Sequence, residues 1–263
     1  TNNEKYFLAL TKNGKNILID TTSLKLVNVP EALAAEVSSI HIDNADNILA
    51  IKNDQLISTK ITNGQITPIL ENALAFTLNN NLLYVASQEN NNFKIDTYLW
   101  DGTGLIPQTN LLNQPLALAQ NYQLWLTYQK ELFLLVDEDF YRVNQQLDLL
   151  NKGVKSVQSD KIHRQLTYQT LSEIYYYNFL SSRAELFYRT TQNIEPSLVV
   201  PNTGYGFLAS SSGLTAVEVD NRNGQNHYSL VKDNNIKSLQ ITIDEDNLLF
   251  LDSGKLYIIA INQ

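Results

Sequence analysis

Residues 166–196 read LTYQTLSEIYYYNFLSSRAELFYRTTQNIEP. Within this stretch, short polar breaks set apart the runs LTYQTLS, EIYYYNF and AELFYRT. Tyr, Thr, Leu and Phe dominate the runs, and aromatic and β-branched runs bounded by turn residues are typical of consecutive antiparallel strands. No helical spacing of apolar residues covers EIYYYNF. The stretch therefore predicts three adjacent β-strands.

Pairs of short apolar runs like these recur along the chain. The first run of each pair begins at residue 6, 48, 82, 132, 166, 206 or 248. The mean step is about 40 residues, and a period of this length with four strands in each repeat is the signature of a β-propeller. The seven predicted hairpins span residues 6–22, 48–62, 82–102, 132–146, 166–180, 206–221 and 248–262.

Fainter strands flank these hairpins. The predicted leading strands lie within 38–43, 74–79, 124–129, 156–161, 197–202 and 238–243, and the predicted trailing strands within 24–29, 65–70, 104–109, 147–152, 184–189 and 227–232. The first repeat lacks a leading strand and the last lacks a trailing one. The longest step lies in the third repeat and predicts inserted loops at 89–92 and 110–120.

The pattern predicts an all-β fold, a β-propeller of seven blades with mostly four antiparallel strands each. Six blades are the alternative if the terminal repeats merge. No Pro-, Gly- or Ser-rich linker divides the chain, so residues 1–263 are predicted to form a single domain. Blades pack face to face, so we expect the aromatic side chains to lie between them, including those of Tyr84, Tyr168, Phe207 and Phe250.

Composition narrows the functions that the chain can have. The net charge of −8 argues against nucleic acid as a partner, because phosphate binding needs a basic patch. Cysteine is absent, which excludes disulfides, thiolate metal sites and a cysteine nucleophile. No apolar run approaches the roughly 18–20 residues that span a bilayer, and no signal-peptide pattern follows Thr1.

The sequence predicts neither a metal site nor a cofactor. The three histidines are His41, His163 and His227. They lie in different repeats, so no two of them have the close spacing of metal ligands on one strand or helix. DNADN (43–47) and DEDN (244–247) lack the central Gly and distal Glu of a calcium loop. We therefore interpret both segments, and DEDFY (137–141), as hairpin turns.

Candidates for catalysis are few, and no catalytic residue is assigned. Glycoside hydrolysis needs two carboxylates facing each other across a cleft. The acidic residues considered for this role are Asp20, Asp96 and Glu218. Ser210–Ser212 lie in a predicted hairpin and not in a nucleophile elbow. Trp125 is predicted to lie in the core, whereas Trp100, which precedes a turn, fits either the core or a sugar-stacking role.

Several segments carry a resemblance to a known family. From residue 173 the chain contains EIYYYNF, LFYRTTQNI, LTAVEVDNRNGQNHYSL and NLLFLDSGKLYIIAI, and near its start NGKNILIDTTSLKLVNVP. These segments resemble the C-terminal β-propeller of bacterial cell-surface proteins that carry an upstream PEGA domain and a membrane-anchoring helix. They are similar, more distantly, to the propeller of TolB. The most specific segment is VEVDNRNGQN (217–226), with its acid–Arg–Asn pattern.

The resemblance implies a location outside the cytoplasm, at the cell surface, with a membrane tether upstream of this chain. It assigns no catalytic or binding residue. Four charged residues in and near the most specific segment are Arg189, Glu218, Asp220 and Arg222. We interpret them as a structural ion-pair cluster that fixes a loop, with part of a ligand rim as the alternative.

These observations favour a non-enzymatic binding or scaffold module whose partner is a protein or a cell-surface polymer. Propeller loops surround a channel on two faces, and recognition usually lies on loops. The alternative is a carbohydrate-active enzyme with acidic residues at the channel mouth. A flat face of Tyr, Asn and Gln would favour protein binding, whereas three carboxylates and a Trp at one mouth would favour the enzyme. The binding residues stay unassigned at this point.

The terminal repeats also predict how the ring closes. Methionine is absent, so Thr1 is not expected to be the start of translation. An unclosed ring would expose an apolar strand edge. We therefore expect upstream residues to supply the inner strand of the first blade, with the outer strand of the last blade as a second candidate. The family resemblance implies that these residues lead to the membrane tether.

Overall fold

The computed structural model describes most of the chain. The described residues are 6–10, 16–20, 25–27, 33, 37, 39–43, 46–62, 64–89, 92–127, 129–160, 165–194, 196–200, 203–219, 224–232, 236–241, 246–253 and 255–261. Before Leu33 only the backbone is described. The regular structure of these residues is antiparallel β-strand almost throughout.

The strands follow one another at short intervals. In the first half of the chain they are β1 (Tyr6–Leu10), β2 (Asn16–Asp20), β3 (Lys25–Val27), β4 (Ser39–Ile42), β5 (Asn47–Lys52), β6 (Gln55–Lys60), β7 (Ile66–Glu71), β8 (Ala73–Asn79), β9 (Leu82–Glu89), β10 (Asn92–Trp100), β11 (Leu105–Pro115), β12 (Tyr122–Leu126) and β13 (Leu132–Val136). In the second half they are β14 (Asp139–Val143), β15 (Leu147–Asn151), β16 (Ser156–Asp160), β17 (Gln165–Gln169), β18 (Glu173–Asn178), β19 (Arg183–Arg189), β20 (Ser197–Val200), β21 (Tyr205–Ser210), β22 (Gly213–Glu218), β23 (His227–Lys232), β24 (Ile236–Ile241), β25 (Asn247–Asp252) and β26 (Lys255–Ala260).

Consecutive strands are neighbours in every sheet that the described residues form. The first sheet is β1-β2-β3, the second to sixth are β4-β5-β6-β7, β8-β9-β10-β11, β12-β13-β14-β15, β16-β17-β18-β19 and β20-β21-β22-β23, and the seventh is β24-β25-β26. Each predicted hairpin and each predicted flanking strand corresponds to a strand pair or strand in these sheets. The number of blades, seven or six, stays a prediction.

One predicted loop is wrong. Residues 110–120 were expected to be an insertion, but β11 continues through Leu105–Pro115 and only residues 116–121 connect it to β12. The strand lies at the edge of the third sheet, and most of its residues are exposed. Solvent-facing Gln, Thr and Asn side chains therefore replace the apolar residues that mark inner strands, which makes the segment look like a loop.

A β-bulge recurs between the third and fourth strands of four sheets. In each case the register skips one apolar residue of the outer strand, and these residues are Ile69, Leu111, Phe187 and Leu230. A bulge twists an edge strand and interrupts its ladder of backbone hydrogen bonds. The repeated bulge thus blunts the outer edges against pairing with another strand.

Inner strands are buried on both faces, as the sequence predicts. All five residues of β13, LFLLV, are buried. The predicted core aromatics Tyr168, Phe207 and Phe250 are 1–3 % exposed, whereas Tyr84 is only partly buried. Burial of apolar surface on both faces of a strand contributes the main stabilising free energy of such stacked sheets.

The chain divides into two compact units. The first comprises Thr1–Leu126, Leu132–Asp137 and Tyr141–Asp148, and the second Thr127–Glu131, Glu138–Phe140 and Leu149–Gln263. Each has apolar clusters of its own, for example around Phe93 and Leu134 in the first unit and around Phe207 and Leu248 in the second. The assignment of residues 1–263 to a single domain stays a prediction.

Candidate functional site

In four sheets an Asn–carboxylate pair joins the third strand to the fourth, or a residue next to one of these strands to the other. In each, an Asn side-chain amide donates a hydrogen bond of 2.7–2.8 Å to a carboxylate, and the pairs are Asn110–Asp96, Asn144–Asp148, Asn178–Glu185 and Asn226–Glu218. Recurrence between the same two strands indicates an architectural role, since the pair ties the two outer strands together. What differs between the sheets is the set of side chains around the pair.

In the fifth sheet a tyrosine joins the pair. Tyr176 and Asn178 are two residues apart on β18, so their side chains point to the same face. Tyr176 lies directly opposite Glu185 on β19, and its hydroxyl donates to Oε2 of that carboxylate. Asn178 donates to Oε1 at 2.7 Å, so both oxygens of Glu185 are engaged. Burial, the hydrogen bond and the negative charge of Glu185 together raise the pKa of Tyr176 to about 12.

The sixth sheet repeats the arrangement with a second aromatic ring. Glu218 accepts hydrogen bonds from Tyr228 Oη at 2.9 Å and from Asn226 Nδ2 at 2.8 Å. The hydrogen bond to Glu218 raises the pKa of Tyr228. Tyr205 lies directly opposite Glu218 on the neighbouring β21, and its ring meets that of Tyr228 edge-to-face, with centroids 6.0 Å apart.

Two contacts join these groups within the second compact unit. Gln225 Nε2 donates to the backbone oxygens of Phe187 and Glu218, both at 3.1 Å. The rings of Tyr188 and His227 lie 5.5 Å apart. We call the two groups together the tyrosine–glutamate surface, one on the fifth sheet and one on the sixth, and define it by Tyr176, Asn178, Glu185, Tyr205, Glu218, Asn226 and Tyr228.

Exposed apolar side chains lie beside this surface. Leu180, in the turn that follows β18, is fully exposed, and Leu186 on β19 is 43 % exposed. The Tyr228 ring itself is 44 % exposed although its hydroxyl is hydrogen-bonded. The patch therefore combines ordered polar groups with accessible apolar area, which is the composition of many protein interfaces.

Of the charged residues that the sequence groups together, Arg189 pairs with a carboxylate outside that group. Arg189 bonds Glu173, with Nε–Oε1 at 2.7 Å and Nη2–Oε1 at 2.6 Å. Tyr175 Oη also donates to Glu173, and these hydrogen bonds lower the pKa of that carboxyl. Glu218 instead accepts from neutral donors. Asp220 and Arg222 lie outside the described residues.

The residues considered as metal ligands do not come together in the described structure. His41 lies on β4, His227 is an exposed residue of β23, and His163 falls outside the described residues. Within the described part of the chain, no three His, Asp or Glu side chains are close enough to hold a metal ion.

The acidic segment at 137–141 forms the predicted hairpin turn, whereas residues 44–45 and 244–245 of the other two segments lie outside the described residues. Asp46 has a positive φ of 61°, and its carbonyl accepts the Ile61 N–H at 3.1 Å. Asp246 accepts the Ile261 N–H in the same way at 2.9 Å, whereas residues 244–245 are outside the described ranges. Asp137 lies in the β13–β14 turn and caps the backbone of Gln120 and Asn121 at 3.0 Å each.

The described candidates for catalysis are buried or hydrogen-bonded within their own sheets. Trp100 is 2 % exposed, so its ring is not available to stack on a sugar. Trp125, expected in the core, is only partly buried on β12. Ser210 and Ser212 hydrogen-bond each other across the β21–β22 turn, as the hairpin prediction requires. Asp96 bonds Asn110 within its own sheet, and the side chain of Asp20 is not described.

A shallow depression of about 430 Å³ lies elsewhere, in the first compact unit. Its lining residues are Pro115, Leu116, Ala117 and Leu118. None of these side chains can take up or release a proton, so the depression offers no acid–base chemistry.

No protein-family model matches the chain, and no curated protein matches it. Among solved structures, the chain is similar to the C-terminal WD40 domain of Sif2, with a TM-score of 0.64 and 13% identity over 98% of this chain and 79% of that chain. It is also similar to the computationally designed Ika8 protein, with a TM-score of 0.64 and 11% identity over 98% of this chain and 81% of that one. A chain of the Mitotic Checkpoint Complex gives a TM-score of 0.60 at 10% identity, over 93% of this chain and 80% of that one.

The fold is a β-propeller. WD40 domains are propellers of four-stranded sheets, which matches the sheets described above and the prediction from the repeat period. At 10–13% identity this likeness concerns the fold alone, because one fold hosts many functions. No helix among the described residues is long and apolar enough to cross a bilayer.

Sequence reasoning did not identify the tyrosine–glutamate surface, although a signal is present. Residues 176–178 read Tyr-Tyr-Asn and residues 226–228 read Asn-His-Tyr, so Tyr and Asn alternate in mirror order in two consecutive repeats. Asn178, on the third strand of the fifth sheet, bonds Glu185 on the outer strand. Asn226, next to the outer strand of the sixth sheet, bonds Glu218 on the third strand. Alternation of this kind places both side chains on one face of a strand and predicts a shared partner.

Proposed function

We propose that this propeller is a non-enzymatic binding scaffold that takes a protein partner on the tyrosine–glutamate surface. The observation that carries the proposal is the addition of ordered tyrosines to a polar pair that other sheets form without them. In other sheets the donors to the carboxylate are not tyrosines: Asp96 accepts from Asn110, and Asp148 accepts from Asn144, Gln146 and Arg142. The extra tyrosines therefore add aromatic area that the polar pair does not require, and Tyr228 remains 44 % exposed.

The chemistry of the surface supports a protein partner. Tyrosine is enriched in protein interfaces because it supplies a large, amphipathic contact area at a low cost in conformational entropy. The hydrogen bonds from Tyr176 to Glu185 and from Tyr228 to Glu218 hold the rings in place before binding. Such preorganisation leaves less side-chain freedom to be lost on association.

Two further observations support a scaffold. The solved structure of the Mitotic Checkpoint Complex contains a chain of this fold within an assembly, although that is a property of that protein. Glu218, a candidate for glycoside hydrolysis, has both of its oxygens engaged by neutral donors. Turnover of a carbohydrate stays the alternative prediction, and saturable hydrolysis that an acidic-residue variant abolishes would establish it.

The proposal includes a location outside the cytoplasm and a tether to the membrane. This part is supported by the resemblance of residues 173–261 to the propellers of PEGA-bearing surface proteins. A protease-accessibility assay on intact cells tests it, since a propeller on the outer side of the membrane is degraded without lysis.

Site-specific photo-cross-linking tests the binding function. A photoreactive residue at Leu180, the fully exposed position beside the surface, should cross-link a discrete protein in the native host. The matched control is the same residue at Leu118, which is 78 % exposed and lies in the first compact unit. The Leu180 adduct should disappear when Tyr176 and Tyr228 are both replaced by Ala. A partner that cross-links equally at both positions, or that ignores the tyrosine substitutions, would contradict the proposal.

A further inference from the structure

We infer that Tyr205, Glu218 and Tyr228 bind a lysine or arginine side chain of the partner, an inference that rests on the proposed function. The three residues lie on the adjacent strands β21, β22 and β23 of the sixth sheet. They combine one carboxylate with two aromatic rings in a partly exposed position.

The geometry of the rings suits a cation. Tyr205 and Tyr228 stand at an interplanar angle of 79° with centroids 6.0 Å apart, so one ring presents its face beside the edge of the other. Glu218 is the direct cross-strand neighbour of Tyr205 and accepts a hydrogen bond from Tyr228. A cation above such a ring is attracted by the ring quadrupole, and a nearby carboxylate adds a direct charge interaction.

Charge complementarity distinguishes Glu218 from a similar carboxylate of the same unit. Glu173 also accepts a hydrogen bond from a tyrosine, Tyr175, and Arg189 of this chain completes that site as the cation. Among the described residues, the donors to Glu218 are the neutral side chains of Asn226 and Tyr228. A cation supplied by the partner would thus pair with Glu218 as Arg189 pairs with Glu173.

The net negative charge of the chain also favours a cationic partner segment. The net charge of −8 attracts cationic segments and repels acidic ones during encounter. This general attraction is screened by salt, whereas a contact at Glu218 and two rings depends on particular side chains. The two contributions can therefore be separated by substitution at constant ionic strength.

The test uses a fluorescein-labelled nona-arginine peptide as the probe, with fluorescence anisotropy at physiological ionic strength. Glu218→Gln should weaken binding about three- to tenfold, and Tyr228→Leu should weaken it comparably. Glu71→Gln is the charge-matched control, because it removes one exposed carboxylate from a different sheet. It should change the affinity less than about twofold. Circular dichroism and the melting midpoint confirm that each variant is folded.

Equal weakening by Glu218→Gln and Glu71→Gln, or no effect of Glu218→Gln and Tyr228→Leu, would overturn the inference. Its failure can be told apart from failure of the proposed function. If the protein cross-linked at Leu180 binds wild type and Glu218→Gln equally, the surface binds a protein but not through a cation at this place. If no protein is captured at Leu180, the proposed function itself fails.

Discussion

Trp100 donates its indole N–H to Oδ2 of Asp43 at 2.8 Å, although the two residues are 57 positions apart. Asp43 follows β4 in the second sheet, and Trp100 ends β10 in the third. Both are buried, with exposures of 6 % and 2 %. Asn47 also donates to Asp43 through its backbone N–H and its amide, each at 2.8 Å. The carboxylate therefore joins two neighbouring sheets of the first compact unit.

We expect Asp43→Ala to lower the free energy of unfolding by about 2–3 kcal/mol, because it leaves buried donors without an acceptor. Trp100→Phe keeps one aromatic ring, removes the N–H donor and leaves a cavity, and should cost about 2–4 kcal/mol. Chemical denaturation measures both changes. Asp54→Asn is the control, since it removes a carboxylate at an exposed turn position with φ of 56° that Asn tolerates. Stability losses no larger than that of the control would show that Asp43 is not a link between the sheets.

Two glycines of the sixth sheet should respond differently to alanine. A Cβ at Gly206 would lie 2.4 Å from the Phe187 ring, and one at Gly213 would lie 2.0 Å from the carbonyl oxygen of Val231. Gly213 also has φ of +119°. We expect Gly206→Ala to cost about 1–3 kcal/mol and Gly213→Ala to cost more, because a backbone atom cannot give way as a side chain can.

A second substitution separates the two cases. Phe187→Leu should recover part of the stability lost in Gly206→Ala, since it shortens the side chain that the new methyl group meets. It should give no recovery with Gly213→Ala. Gly104→Ala is the control for alanine substitution itself, as no atom lies within 4 Å of its Cβ position. Melting curves of the single and double variants decide this, and recovery in both backgrounds would contradict the contact to Phe187.

The sequence predicts the strands of this fold better than it predicts the contacts between them. Inner strands such as LFLLV at 132–136 are apolar on both faces, a local pattern that composition alone reveals. The hydrogen bond from Trp100 to Asp43 joins residues 57 positions apart in the sequence, and no local sequence pattern predicts it. The sequence predicts a loop for part of the outer strand β11, because the exposed residues of that strand are mostly polar.

The candidate site illustrates the same division. The alternation of Tyr176 and Asn178 follows from strand periodicity, but the carboxylate that they share is set by the register of β18 against β19. Arg189 was grouped with Glu218, yet it bonds Glu173, which lies directly opposite it across the hairpin. Register depends on the bulge at Phe187, which single-sequence patterns do not reveal.

Chelation should leave the stability of the protein unchanged. The described His, Asp and Glu side chains form no group of three that could hold a metal ion, and the acidic segment at 137–141 is a hairpin turn. A metal bound only by the native state would raise the melting midpoint, so its removal would lower it. We expect equal midpoints with and without EDTA in differential scanning calorimetry. A fall of several degrees that added Ca²⁺ or Zn²⁺ reverses would contradict this.

Stability should decline in alkaline solution, and Tyr176 should contribute to the decline. Burial and the Glu185 carboxylate raise the pKa of Tyr176 to about 12, whereas a tyrosine of the unfolded chain titrates near pH 10. A group whose folded pKa is raised stabilises the fold fully below the unfolded pKa, and this stabilisation is lost as the pH rises through the folded pKa. Between about pH 10 and 12, the unfolded chain therefore releases the Tyr176 proton while the native state retains it.

Tyr176→Phe removes this titration, so the free energy of unfolding of the variant should fall less steeply with pH over that window. Urea denaturation at pH 8 and at pH 11 measures the two slopes. Glu185→Gln keeps the Tyr176 hydroxyl but removes the carboxylate that helps to raise its pKa, so its slope should lie between those of the wild type and Tyr176→Phe. A Tyr176→Phe slope that equals the wild-type slope would show that Tyr176 and Glu185 are not coupled in solution.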